Sequence, residues 1–480
     1  MEEHTANEYR QQRIINMKKL ADAGFSGYGD AFERSARIDQ LLEKFNIDDT
    51  ILACGRILTM RKMGKMAFVH IGDGSSKIQL MIQRDAIGEE NFSAFKLLDI
   101  GDFIGVEGTY FLTKTEEKTI KVKEWKLLAK ALLPLPEKFH GLSNKETRYR
   151  QRSLDLISNS QTMDIFKKRT KIIREIRKYL DELNYLEVET PMLHQIPGGA
   201  TAQPFKSHYN ALDIDVFMRI APELYLKRLI VGGMDRVYEI NRNFRNEGVD
   251  RTHNPEFTCL ELYQAYGDVK TMKNIIQGLL IHIAENIFNK TEFDWLGNTI
   301  DLALPWKEIS YKNLISENLG AEWFNLDKKL AIEEANKRGV EVDNGMNHRQ
   351  ITYEIYEKSI ECTLIQPTFV TKLPAELVPL AKTCYDDESY VDVFELIIGG
   401  KEIAPAYSEL NDPIEQRNRL LSQANGELSK IDHDFLLALE HGMPPTGGMG
   451  IGIDRLVMFF TGADSIRDVI LFPQLKPRQS

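Results

Sequence analysis

Cysteine is scarce in this 480-residue chain: there are four, at Cys54, Cys259, Cys362 and Cys384, far apart and with no Cys-x-x-Cys pair. That spacing argues against a disulfide framework or a thiolate zinc site, and it suits a reducing cytoplasm. Long apolar runs are also missing. No segment has the length and hydropathy of a membrane span, and the opening MEEHTANEYRQQR lacks a signal-peptide core, so neither a membrane location nor export is expected. Positive charge is not in excess. A net charge of −10 excludes a generally basic nucleic-acid coat, so any RNA contact must be a local patch. Two common phosphate loops are absent as well. Gly64-Lys65 and Gly400-Lys401 have Thr59 and Glu395 where a Walker loop needs its leading glycine, and GGMGIGIDR does not fit GxGxxG. No internal repeat or low-complexity tract is seen.

The remaining composition, 42% hydrophobic and 28% charged, is that of an ordinary globular protein of several domains. Residues 5–46 read as two polar helices. From Ile51 to Leu133 come five short β runs, ILACGRILTM, MAFVHIG, KIQLMIQ, DFIGVEGTYFL and TIKVKEWKLL, separated by glycine-rich turns. Five such strands predict a small closed barrel of OB type. Residues 51–135 carry 13 Lys and Arg against 10 Asp and Glu, so the barrel is mildly basic on an acidic chain. Phe68 and Gln79 fall on neighbouring strands with Arg61 nearby. An aromatic ring, an amide and a guanidinium together are suited to reading single-stranded bases.

The proline-containing stretch from Leu132 to Ile157 reads as a linker, with the boundary near Pro136 to Gly141. The expected organisation is N-terminal helices over 1–50, the barrel over 51–140 and a larger domain over 141–480. That larger domain begins with a helix from Met163 to Asn184, whose apolar residues recur with a 3.6-residue period. The strand YLEVETPML follows, and Pro191 within it suits a bend or a subunit contact. Later come helices, an α-rich insertion from about Ser310 to Cys362, strands at PTFVTKL and VDVFELIIGG, and a glycine-rich strand and helix at TGGMGIGIDRLVMFF.

The segment Val237 to Gly267 carries the most chemistry. Two apolar runs flank a loop holding Arg245, Glu247, Arg251, His253, Asn254 and Glu256, the pattern of a β-hairpin whose loop holds a polyanion. On its second strand Phe257, Cys259, Glu261 and Tyr263 share a face, because side chains alternate with a period of two. A half-buried face containing Glu261 needs a partner for that charge.

This hairpin, the PGGA segment, YLEVETPML and GMGIGIDR together resemble the class II aminoacyl-tRNA synthetases, and among them the bacterial-type lysine–tRNA ligases. YLEVETPML corresponds to the first motif of that family, FRNEG with HNPEF to its second, and GMGIGIDR to its third. The likeness extends from GRILTMRKMGKMAF through LPEKFHGL and RYRQRSLDLI to ILFPQLKP. It implies an α+β fold: an antiparallel catalytic sheet flanked by helices, an N-terminal OB-fold barrel that binds the anticodon, and a homodimer in the cytoplasm. KMGKM (Lys62 to Met66) and HIGD (His70 to Asp73) look like signatures of the other synthetase class. They stand in reversed order and nearly touch, so they are accidental.

The reaction the resemblance implies is ATP plus L-lysine giving lysyl-adenylate and pyrophosphate, then transfer of lysine to the 3′ end of tRNA(Lys). By that likeness Arg245 bridges the lysine carboxylate and the α-phosphate, and Arg455 holds the γ-phosphate. Phe257 stacks on adenine, while Glu247, His253 and Asn254 contact the nucleotide. Glu395 and Glu402 hold Mg²⁺, with Glu395 also counted in the ATP site. Glu261, Tyr263 and Glu409 take the lysine ε-ammonium, Glu223 and the Gly199 carbonyl take the α-ammonium, and Tyr407 and Gly450 complete the lysine pocket. Arg61, Phe68 and Gln79 bind the anticodon. Several buried carboxylates are tolerable only when a positive ligand neutralises them, so the pocket is expected to take a cation.

Two positions depart from the family pattern. Pro405 stands where lysine–tRNA ligases usually carry an asparagine that helps bind the substrate carboxylate, and proline offers no donor there. Gln203 stands where GGAxARPF often has arginine. An active enzyme with a raised lysine KM is the expectation. The alternatives are a ligase that attaches lysine or an analogue to a protein lysine, whose members generally lack the barrel, and a non-catalytic RNA-binding paralogue. Retention of Arg245, Glu395, Glu402 and Arg455 speaks against the latter.

Overall fold

A computed structural model describes residues 3–136, 142–343, 345–424 and 426–477. The chain divides into two compact units, Met1–Ser143 and Asn144–Ser480. The expected boundary at Pro136 to Gly141 lies, beyond Pro136, outside the described residues.

In the first unit, β1 (Thr50–Met63), β2 (Met66–Gly72), β3 (Lys77–Gln83), β4 (Phe103–Leu112) and β5 (Lys118–Ala129) close into a barrel in the order β1-β2-β3-β5-β4. Alternation along β1 and β2 buries Ala53, Ile57, Val69 and Ile71 inside and turns Phe68 and His70 outward, and a bulge between Ile57 and Thr59 brings Arg61 to the same outer face. Helix α1 (Glu3–Asp22) belongs to the same unit. Its Arg13 donates to the carbonyls of Ala131 and Leu133, each at 2.9 Å, which ties the helix to the segment that follows β5.

The second unit is built on an eight-stranded sheet. Its strands are β6 (Leu186–Glu187), β7 (Arg236–Phe244), β8 (Glu256–Ala265), β9 (Lys307–Ser310), β10 (Thr368–Pro374), β11 (Tyr390–Ile398), β12 (Lys401–Ser408) and β13 (Thr446–Gly452). Their order is β9-β10-β11-β12-β13-β8-β7-β6, antiparallel except for the parallel pairs β9–β10 and β6–β7. Helices α2 (Ser160–Glu182), α4 (Val269–Ile283) and α5 (Ile453–Thr461) cover one face, on which Leu260, Leu262, Leu396, Ala404, Ala406, Met449 and Ile451 are buried. Between α2 and α4 in the chain lies α3 (Glu223–Val231). Period-two alternation leaves Glu261, Tyr263, Glu395, Pro405, Tyr407, Gly448 and Gly450 on the opposite face, which carries the site.

One expected element is largely replaced. YLEVETPML forms only two short pairings, Leu186–Glu187 with β7 and Leu193–His194 with the strand Ile214–Met218. Pro191 stands between them, and without an N–H it cannot continue the ladder. The α-rich insertion is present as Tyr311–Leu319, Lys328–Lys337 and His348–Ile355.

Candidate active site

The hairpin neck is closed where the Arg245 N–H donates to the Pro255 carbonyl at 2.9 Å. Arg245 directly follows β7, and its guanidinium lies 5.2 Å from the centre of the Phe257 ring. Its Nε is buried without a hydrogen-bond partner, which leaves a fixed cation with an unspent donor facing the site. Within the loop, Asp250 accepts from the Thr252 N–H at 2.6 Å, the His253 N–H at 2.7 Å and His253 Nδ1 at 2.8 Å. Against the opposing effect of burial, the hydrogen bond from His253 and these amides hold the Asp250 carboxyl well below the usual carboxylate range. His253 Nε2 in turn lies 3.1 Å from Arg455 Nη2. Asn254 is engaged by the backbone at both ends of its amide: Nδ2 donates to the Glu256 carbonyl at 2.6 Å and Oδ1 accepts from the Gln474 N–H at 3.3 Å. Glu247 is exposed on the loop.

Arg455 lies in the first turn of α5, and its Nη1 donates to the Glu402 main-chain carbonyl at 2.9 Å. Glu402 and Glu395 reach the same face through a bulge. β11 and β12 are joined by Gly399 and Gly400, both at positive φ (60° and 68°), a two-residue turn that glycine alone makes without strain. Leu396 then pairs with Ala404 but Ile397 with Glu402, so Ile403 is the extra residue. In a regular strand Glu402 would face the helices with Ala404 and Ala406. The bulge turns it to the site side beside Glu395. Burial, with the Glu402 charge next, pushes Glu395 up to about 8 although the Tyr356 hydroxyl donates to it at 2.8 Å. Glu361, from the helical insertion, accepts from the Glu402 N–H at 3.0 Å and is pushed up to about 7 by burial and by Glu402. This patch has uncompensated negative charge and suits a divalent cation. Two carboxylates with phosphate oxygens and water meet the habits of Mg²⁺, and among the described residues no group of three or more protein ligands is gathered for a metal.

The third part is a pocket around Glu261. Glu261 stands opposite Gly450, and the Tyr263 hydroxyl donates to its Oε2 at 3.3 Å. Burial, with Glu223 next, pushes Glu261 up to about 8. A side chain at Gly450 would point at the Glu261 Cγ and the Pro405 Cγ, 3.9 and 4.0 Å away, so glycine keeps open the space between them. At Gly448 the space is already taken, because a Cβ there would collide with the Glu409 carboxylate and the Tyr263 ring. Tyr407 lies opposite Gly448 on the adjoining strand. Gly199 has φ of 86° and packs so closely that a Cβ would sit 3.1 Å from that of Glu223. Glu223 opens α3, and one turn on, Lys227 Nζ meets Glu223 at 2.6 Å and Glu409 at 2.5 Å. The expectation that only a bound ligand could neutralise these acids is therefore corrected: Lys227, which sequence reasoning passed over, already compensates part of their charge. Its spacing of four from Glu223 on a helix was the available signal. Gln203 is exposed, and its carbonyl accepts from the Asn246 N–H at 2.7 Å.

In the first unit Arg61, Phe68 and Gln79 line one cavity of about 660 Å³ on the outer barrel face, with Arg61 opposite Phe68 across the β1–β2 ladder. Glu117 was missed within an ordinary-looking charge run. It accepts from Gln79 Nε2 at 2.7 Å and from His70 Nε2 at 2.8 Å, while the Gln79 Oε1 accepts from Thr119 at 2.9 Å. The Gln79 amide is thereby fixed in orientation.

Residues 144–476 match the family described as tRNA synthetases class II (D, K and N), and residues 51–128 match the OB-fold nucleic acid binding domain. Across its length the chain is 47% identical to the lysine–tRNA ligase of Carboxydothermus hydrogenoformans, with 100% of both chains covered. It is 46% identical to that of Syntrophomonas wolfei, over 99% of this chain and 98% of the relative. For the lysine–tRNA ligase of Shouchella clausii the identity is 47%, over 97% and 96%.

Proposed function

The chain belongs to the class II tRNA synthetases of the D, K and N group, and we propose that it activates L-lysine with ATP and transfers it to the 3′ end of tRNA(Lys). The single observation that carries the choice of lysine is the acidic pocket of Glu223, Glu261 and Glu409, all nine-tenths or more buried. An aspartate or asparagine enzyme of the same architecture would need a basic or amide-reading pocket there.

Adenylate formation is an in-line attack of the lysine carboxylate on the α-phosphorus with pyrophosphate leaving, so positioning and charge neutralisation do most of the work. Arg245 holds the carboxylate and the α-phosphate together with its unspent donors, and Phe257 stacks on adenine. Arg455, braced by Glu402 and His253, holds the γ-phosphate; Glu247, His253 and Asn254 shape the nucleotide loop. Glu395 and Glu402 hold Mg²⁺, which when bound neutralises phosphate charge. Glu261, Tyr263 and Glu409 receive the ε-ammonium, Glu223 and the Gly199 carbonyl receive the α-ammonium, and Tyr407 and Gly450 line the same pocket. In the second step a terminal ribose hydroxyl of the tRNA attacks the acyl carbon and AMP leaves.

Arg61, Phe68 and Gln79 read the anticodon, supported by their shared cavity and by the Glu117 brace. The barrel also weighs against a protein lysine as acceptor. Exposed Leu186 and Leu193 on either side of Pro191 support a two-fold contact and hence a homodimer. Among the described residues no helix is long and apolar enough to cross a membrane, and a cytoplasmic location agrees with the free cysteines. The test is charging: lysine should be esterified to a tRNA bearing a lysine anticodon. Lysine-dependent pyrophosphate exchange without charging would indicate a protein acceptor instead.

A further inference from the structure

Lys227 is fully buried, and its side chain, rising from one helical turn beyond Glu223, places Nζ between two acids from different elements. Its other polar neighbour is the Leu380 carbonyl at 3.5 Å. Both Glu409 oxygens are buried, and neither makes a well-directed hydrogen bond, so Glu409 is held by the charge of Lys227. The other charged and titratable groups facing this space are Arg219, Arg245 and the Cys259 thiol toward Glu261, the hydroxyls of Tyr263 and Tyr407, and, facing Tyr407, Glu395 and Glu402. Arg219 is committed to Glu239 at 2.7 Å, and Arg245 faces the anionic end of the site.

The acids Glu223, Glu261 and Glu409 are therefore met by one ammonium of the chain itself, which leaves the pocket two positive charges short. Free lysine brings two ammonium groups. We propose that Lys227 is a positioning and specificity residue that sets this deficit at two, so that all three acids are ionised in a neutral pocket only around an amino acid carrying a second ammonium. The inference rests on the reading of the pocket as a lysine site. An amino acid with an uncharged side chain leaves one buried carboxylate uncompensated, and such a group is costly. Without Lys227 the deficit becomes three. The pocket meets it by taking up an additional proton, and because lysine brings only two positive charges that proton stays on an acid the substrate needs ionised.

The test uses the full-length protein with Lys227→Met and, as a polar alternative, Lys227→Gln. KM for lysine and for ATP is measured by ATP–pyrophosphate exchange near pH 7 and near pH 9. Proton release on lysine binding is counted by calorimetry in two buffers of different ionisation enthalpy. The expected result near pH 7 is a lysine KM raised about tenfold, the equivalent of one pKa unit, with ATP KM unchanged. The increase should shrink toward pH 9, where the acids ionise, while the number of protons released per lysine stays the same. Lysine and ATP KM rising together without pH dependence, a changed proton count, unchanged KM values, or failure of both variants to fold would each overturn the proposal and leave the bridge merely structural. The unaltered protein separates the two readings. If it shows no lysine-dependent exchange, the substrate assignment falls and this inference with it; if it is active and the variants match it, this inference alone fails.

Discussion

Arg455 donates from Nη1 to the main-chain carbonyl of Glu402 at 2.9 Å. The cation assigned to the γ-phosphate is thereby tied, before any ligand arrives, to a residue assigned to the metal. The other arm of the same guanidinium meets His253, which is locked by Asp250.

Arg455→Lys keeps the charge and loses the fork that makes both contacts at once. Pyrophosphate exchange should fall roughly 100-fold, as when a preorganised donor to developing charge is removed. ATP KM should rise while lysine affinity measured without ATP stays unchanged. Steady-state exchange together with calorimetric titration of lysine checks both halves.

Pro405 stands beside the open space at Gly450, facing Glu261, and offers no donor. Pro405→Asn should lower the lysine KM by about tenfold, the worth of one hydrogen bond to a charged carboxylate, and leave ATP KM alone. An unchanged lysine KM and kcat would show that the chain compensates for the missing amide elsewhere.

Burial, opposed at Glu409 by Lys227, pushes Glu261 and Glu409 up to about 8 from an ordinary 4.5 in the ligand-free protein. Because the folded chain holds these protons more tightly than the unfolded one, the associated stability is fully present below the ordinary carboxylate range and is lost as pH rises through about 8. The melting temperature of the ligand-free protein should therefore decline from about pH 6 to about pH 9. Saturating lysine should flatten that decline, since its ammonium groups replace the protons. Thermal unfolding with and without lysine across that range measures it, and equal slopes would contradict the assignment of these carboxylates.

Phe68→Ala removes the ring from the barrel cavity while leaving the second unit untouched. The kcat/KM for tRNA charging should drop by the equivalent of about 1–3 kcal/mol, the value of one base–aromatic stack. Lysine-dependent exchange without tRNA should be unaffected. A parallel loss of exchange would mean that Phe68 serves folding rather than recognition.

Much of this was legible in the order of residues because local patterns decide it. The barrel strands follow from short apolar and alternating runs between glycine turns, and β7 and β8 from apolar runs around a polar loop. Glu261 and Tyr263 could be placed on one face by counting in twos. The same counting fails at Glu402, where the Ile403 bulge reverses the face, and a bulge depends on the pairing partner rather than on the strand itself. Lys227 escaped notice because a lysine on a helix is ordinarily solvated, and its pairing with Glu409, just beyond β12, is not visible from the helix itself. Gly448 looked like one member of a glycine run, and its necessity appears when Glu409 and Tyr263 are seen to fill the place of its side chain. YLEVETPML has the composition of a strand, yet Pro191 and the lack of a continuous partner divide it.

Selection of lysine by this pocket for activation by ATP is measured by ATP–pyrophosphate exchange with each of the standard amino acids in turn, at saturating Mg²⁺ and without tRNA. Exchange is expected with lysine and none above background with aspartate, asparagine or the uncharged amino acids. Exchange driven by aspartate or asparagine, or no exchange with lysine at any concentration, would contradict it.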